Sequence, residues 1–126
     1  MRSWAVWLAG LVGVVILLLG VRAFLDPVAA SASFGLPMHT DAETSFVRIY
    51  GARNALLGAM AIVFAARGMV GSLVLLFTLA IVLPLLDAAV IVSRLGLGRE
   101  LARHGAILLV LAIVGVALRR TSESGR

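Results

Sequence analysis

Five polar residues stand inside, or at the edge of, long apolar stretches: Tyr50, Arg53, Asn54, Asp87 and His104. An ionisable side chain at mid-membrane costs from about 3 kcal/mol upward, so such groups turn toward a bundle interior and mark function by default. A carboxylate and an imidazole can hold or pass a proton. A guanidinium or a phenol can stabilise developing charge or grip the polar end of a ligand. Spacing sorts the five. Tyr50, Arg53 and Asn54 fall at i, i+3 and i+4 and so share one helix face. Leu83, Asp87, Ile91 and Arg94 line a face of another helix, and Pro84, just before Asp87, invites a kink there. Glu100 and His104 pair at i, i+4 at the mouth of a further helix.

Depth brings the same residues together. At a rise of about 1.5 Å per residue, Arg53 lies roughly 21 Å above Arg67, His104 roughly 23 Å above Arg119, and Asp87 roughly 26 Å above Val70. A cation, an imidazole and a carboxylate from three helices thereby reach one slab near one membrane face. The depth match predicts that Arg53, Asp87 and His104 face the interior within one hydrogen-bonding neighbourhood, with Tyr50 and Asn54 beside them. Two uses fit such a cluster. It can form the polar head of a pocket beneath an aliphatic chamber, suited to a lipophilic molecule with one polar end. It can also be a charge network that fixes helix register.

Composition sets the solvent in which these groups sit. The chain has 126 residues, 62% hydrophobic and 13% charged, with a mean hydropathy of +1.12. Soluble domains carry about 25% charged residues, so this chain cannot coat a water-soluble globule, and intrinsic disorder is excluded as well. There is no cysteine, which removes disulfide and thiol chemistry. The net charge of +5 comes from eleven Arg against six acids, without Lys, and reads as membrane flanks rather than a nucleic-acid footprint. His39, in a loop, and His104 make a poor metal-ligand set without thiols. The glycines are scattered through the spans and form no phosphate loop. No metal, no cofactor and no nucleic-acid partner are expected.

The elements that must position the polar residues follow from run length. A hydrocarbon core of about 30 Å needs roughly 20 apolar residues as helix, and strands in lipid would leave backbone groups unpaired. The fold class expected is all-α: a four-transmembrane-helix bundle within a single integral membrane domain, residues 1–126. Its spans are about 3–22, 44–66, 69–92 and 101–118. The first run exceeds a signal-peptide core, and Arg22 and Asp26 precede the Ala30-Ser31-Ala32 imitation of a cleavage site, so it is read as a retained span. Between spans one and two, Asp26-Pro27 opens a short interfacial helix over Pro27–Ser33, ended by Gly35 and Pro37, with Phe24, Phe34 and Leu36 dipping into lipid. Thr40-Asp41-Ala42-Glu43 is a capping box that starts the next helix near Asp41. The small residues Gly51, Ala55, Gly58 and Ala59 give that helix a surface for close packing. The polar tail Thr121–Arg126 is expected to fray.

Several of these segments resemble a family of small four-helix membrane proteins with DoxX-like architecture. The resemblance rests on Asp26-Pro27 with Phe34-Gly35-Leu36-Pro37, and on Gly51-Ala52-Arg53-Asn54-Ala55-Leu56-Leu57-Gly58. It rests also on Pro84-Leu85-Leu86-Asp87 and on His104-Gly105, in that order, from about residue 8 to residue 118. The family carries Asp where this chain has Asn54, so no Arg-Asp dipeptide is available here. The resemblance implies a fold and a membrane address, and no reaction.

Three functional classes stay open. The first is a binding or accessory protein for a quinone, isoprenoid, lipid or partner subunit. The second is a membrane-embedded acid–base enzyme of isomerase type, in which His104 or Asp87 moves the proton and Arg53 or Tyr50 stabilises charge. The third is a small dimeric transporter, against which the absence of an acid in Ser3–Val21 counts. Membrane lipid, a lipophilic small molecule and a second copy of the chain are the partners expected. Four spans put both termini on one side. Arg2, Arg67, Arg119, Arg120 and Arg126 there face Arg22, Arg48, Arg94, Arg99 and Arg103 on the other, a near balance, and the termini are placed in the cytoplasm of a multi-pass inner- or plasma-membrane protein.

Overall fold

Apolar runs too long for strands fold as six helices in the computed structural model, which describes residues 3–124 apart from the side chain of Glu100. In chain order they are α1 (Trp4–Leu25), α2 (Pro27–Phe34), α3 (Asp41–Ala66), α4 (Val70–Ala80), α5 (Val82–Leu95) and α6 (Arg99–Ser124). Four helical stretches, Trp4–Leu25, Asp41–Ala66, Val70–Leu95 and Leu101–Ser124, are long and apolar enough to cross a membrane. The all-helical class, the four long apolar helices and the short helix between the first two are therefore as expected. The chain divides into two compact units, Gly10–Val63 and Met1–Ala9 with Phe64–Arg126.

In the unit Gly10–Val63, α1 and α3 meet backbone to backbone. A Cβ built on Gly20 would fall 2.6 Å from the Gly51 carbonyl oxygen, and one on Gly51 the same distance from that of Gly20. A Cβ on Gly58 would fall 2.6 Å from the Gly13 carbonyl oxygen, and one on Gly13 would fall 2.9 Å from that of Gly58. Gly13 thus faces Gly58 and Gly20 faces Gly51, so the two helices run antiparallel with matching seven-residue steps. Only hydrogen in place of a side chain permits that approach, and close approach is how helices gain dispersion contacts in lipid. The close-packing surface expected from Gly51 and Gly58 is present. Its partners on α1, Gly13 and Gly20, are the part that sequence reasoning did not name.

The connection between those helices is held by local chemistry. Asp26 caps α2 through its side chain, which accepts from the Ala29 N–H at 3.2 Å, and Pro27 occupies the first helical position. Gly35 ends α2 at φ 102°, a conformation that favours glycine, and donates to the Ala32 carbonyl. Buried Ser31 then fixes the following turn, donating to the Val28 carbonyl at 2.8 Å and accepting from the Met38 N–H at 3.0 Å. The capping box is formed: the Thr40 N–H donates to Glu43 Oε2 at 3.0 Å, and the Glu43 N–H donates to Thr40 Oγ1 at 3.3 Å. Arg48 Nη1 donates to the Phe24 carbonyl at 3.2 Å, placing a cation at the carboxyl end of α1.

In the other unit, α4 and α5 pack on α6. The third long stretch is broken at Ile81, three residues before Pro84, whose missing N–H and ring at the Ala80 carbonyl account for the interruption. The interruption falls one turn before Pro84, where the sequence reading expected a kink, and Ile81 itself keeps right-handed helical dihedrals (φ −59°, ψ −31°). The core is Leu73 and Phe77 of α4, Pro84 and Ile91 of α5, and Leu111, Val114 and Leu118 of α6. The expected fraying of the tail is corrected for the described part of it. Helix α6 continues through Ser124, where Thr121 Oγ1 and Ser124 Oγ donate back to the Ala117 and Arg120 carbonyls.

Candidate functional site

Helix geometry decides what α5 and α6 can present to each other. On α5 the buried positions Pro84 and Ile91 lie seven residues apart, and Asp87 stands between them on the same face. The side chain is half-buried. On α6, His104, Leu111 and Leu118 repeat every seven residues and form one buried stripe. His104 is only 2% exposed, as deep as the leucines that follow it. The two polar groups act on each other electrostatically. The pair is an acid and an imidazole on packed helices whose other facing residues are apolar. It can offer an acceptor and a donor to one polar group of a guest molecule.

The remaining expected site residues belong to the unit Gly10–Val63 and are placed by the glycine face of α3. Val47, Gly51, Gly58 and Ala61 are its buried residues. Tyr50 and Asn54 flank that face and are half-buried, and the Tyr50 ring meets Phe34 of α2 edge-on with centroids 5.8 Å apart. Arg53 is exposed. At about 100° per residue it lies roughly 200° round the helix from Gly51, on the far side from the packed stripe. The interior position expected of all five residues is therefore full for His104, partial for Tyr50, Asn54 and Asp87, and absent for Arg53. Phe34 is half-buried and packs its ring against Tyr50. His39 is exposed, and its N–H donates to Glu43. The expected pairing of Glu100 with His104 falls on a side chain outside the described residues.

Sequence reasoning missed two anchors, Ser31 and the Arg48 bond to the α1 carboxyl end. A serine within a helix of only eight residues, seven positions before Met38, offered a weak signal for the first. The second had no local signal, because it bridges 24 positions. A bundle of long apolar helices carrying an acid–imidazole pair defines a class of helical, membrane-type protein without assigning it a reaction. Within that class the chain belongs to the family described as "Domain of unknown function (DUF4267)", which matches residues 13–118. No curated protein and no solved structure matches it.

Proposed function

We propose that this is a multi-pass membrane protein, with both termini cytoplasmic, that holds a lipophilic molecule by its polar end through Asp87 and His104. One observation carries the reading. A half-buried acid and a buried imidazole interact on packed helices in stretches otherwise apolar enough to cross a membrane. Keeping such groups away from water is costly, and in membrane proteins the cost is usually met by a function. A quinone, isoprenoid or lipid fits the pair. A carbonyl or ether oxygen can accept from the imidazole, and a hydroxyl can donate to the carboxylate. Native mass spectrometry of the chain purified from membranes tests this. The expected result is a retained apolar mass that is lost from Asp87→Ala and His104→Leu proteins that still fold. Retention of the same mass by both variants overturns the assignment, as does a bare protein.

A second reading is favoured by the place of His104 in the packed stripe with Leu111 and Leu118. The pair then sets the register of α5 against α6 and holds no guest. A coupling energy between the two residues together with an empty bundle would select it.

A further inference from the structure

Within the unit containing α4, α5 and α6, the far end of α6 from His104 carries a groove of about 750 Å³ against the first residues of α1. Its walls change character along α6. The lining runs from apolar Ala112, Ile113, Val116 and Ala117 to polar Arg120, Thr121 and Ser124 toward the carboxyl end. Ser3 and Trp4 of the α1 start close the opposite side. From Ala112 to Arg120 is eight residues, a drop of roughly 12 Å, against the roughly 15 Å hydrocarbon depth of one leaflet. Trp4 is exposed and stands where interfacial tryptophans gather.

The polar end is electropositive and unspent. Arg120 makes no ion pair among the described residues, and Glu123 of the same helix does not line the groove. The adjacent Arg119 is differently engaged, donating to Thr78 at 3.1 Å. Helix α1, 22 residues long, starts here with no acid in its first turn, so the positive end of its dipole is uncompensated. Ser3 accepts the first helical N–H bonds with its carbonyl, yet its hydroxyl is buried in the groove wall without a hydrogen-bond partner. A cation, a bare helix start and an orphaned hydroxyl converge above an aliphatic trough about one leaflet deep.

We infer that this groove binds an anionic phospholipid, with the headgroup phosphate at Arg120, Ser3 and the α1 start, and one acyl chain along Val116, Ile113 and Ala112. Charge complementarity selects the headgroup, and the depth of the trough selects a chain-bearing anion over a free one. The inference rests on the membrane placement proposed above and is independent of the Asp87–His104 pair.

Trp4 supplies the probe. A Trp7→Phe chain, leaving Trp4 as sole tryptophan, is reconstituted in phosphatidylcholine vesicles holding a minor fraction of chain-brominated lipid. Brominated phosphatidylglycerol is expected to quench Trp4 more strongly than the same fraction of brominated phosphatidylcholine. That excess is expected to vanish in Arg120→Gln, to survive in Arg120→Lys, and to survive in Arg119→Gln, which loses the same charge beside the groove. Excess inorganic phosphate should leave it unchanged. Equal quenching by the two lipids overturns the inference while leaving the membrane placement standing. Equal loss in Arg119→Gln and Arg120→Gln reduces the effect to general surface charge and overturns it too, and displacement by phosphate overturns the lipid assignment. Absence of quenching by either lipid removes the membrane placement itself. Circular dichroism of each variant confirms that the helices persist.

Discussion

His104 is a polar side chain in a leucine's position, and that fact governs what its neighbours are worth. Buried at 2% exposure in the stripe with Leu111 and Leu118, it draws on Asp87 for electrostatic compensation. Removing the carboxylate leaves the imidazole in its apolar setting, whereas removing both groups restores a plain apolar contact. Asp87→Ala should therefore destabilise the protein more than Asp87→Ala combined with His104→Leu. The coupling between the two sites, read from a double-mutant cycle in a reversible detergent-unfolding assay, should fall at about 0.5–3 kcal/mol. Additive effects would detach the two residues. Ser31 is a second residue with an outsized role, since its hydroxyl ties the Met38 N–H to α2. Ser31→Ala leaves that donor stranded and should cost about 1–3 kcal/mol in the same assay, whereas exposed Ser93, which bonds only its own helix, should tolerate alanine.

At the scale of elements, the contact between α1 and α3 depends on four absent side chains. A methyl group on Gly20 or Gly58 would be driven into the facing helix backbone, which cannot rotate aside as a side chain would. Gly20→Ala and Gly58→Ala should each destabilise by about 1–3 kcal/mol or more. Gly71→Ala, with nothing within 4 Å of the new methyl, should be neutral or stabilising by up to about 1 kcal/mol through helix propensity. Equal behaviour of Gly71 and Gly58 would show that α1 and α3 do not touch in the membrane. The elements themselves were legible in the sequence for local reasons. Run length marks four spans, Asp26-Pro27 and Thr40 with Glu43 mark helix starts, and Pro84 marks the break at Ile81. What was not legible is which faces meet. The depth of Arg53 along α3 could be counted, but depth says nothing of azimuth. Azimuth is set by Gly51 and Gly58, which claim the packed side and turn Arg53 away. Asp87 and His104 were legible as members of one polar slab, together with Arg53, because their depths could be counted, and Asp87 lies four residues from the core residue Ile91 while His104 lies seven from Leu111.

For the molecule as a whole, the open physical question is how it lies across the bilayer. In the proposed four-span topology, the α6 end and the α1 start lie on one side, and the α5–α6 turn at Gly96–Gly98 on the other. Positive charge divides almost evenly between the two sides, five Arg against five, so the usual bias toward cytoplasmic cations exerts little pull. The orientation proposed above puts the α6 carboxyl end in the cytoplasm. The chain has no cysteine, so single cysteines report without background. In intact cells, a membrane-impermeant maleimide should label Gly98→Cys and spare Ser124→Cys until the membrane is permeabilised. The reverse pattern would invert the protein. Labelling of both sites before permeabilisation would put an even number of crossings between them, so that α6 would not span the membrane, and would remove the four-span reading.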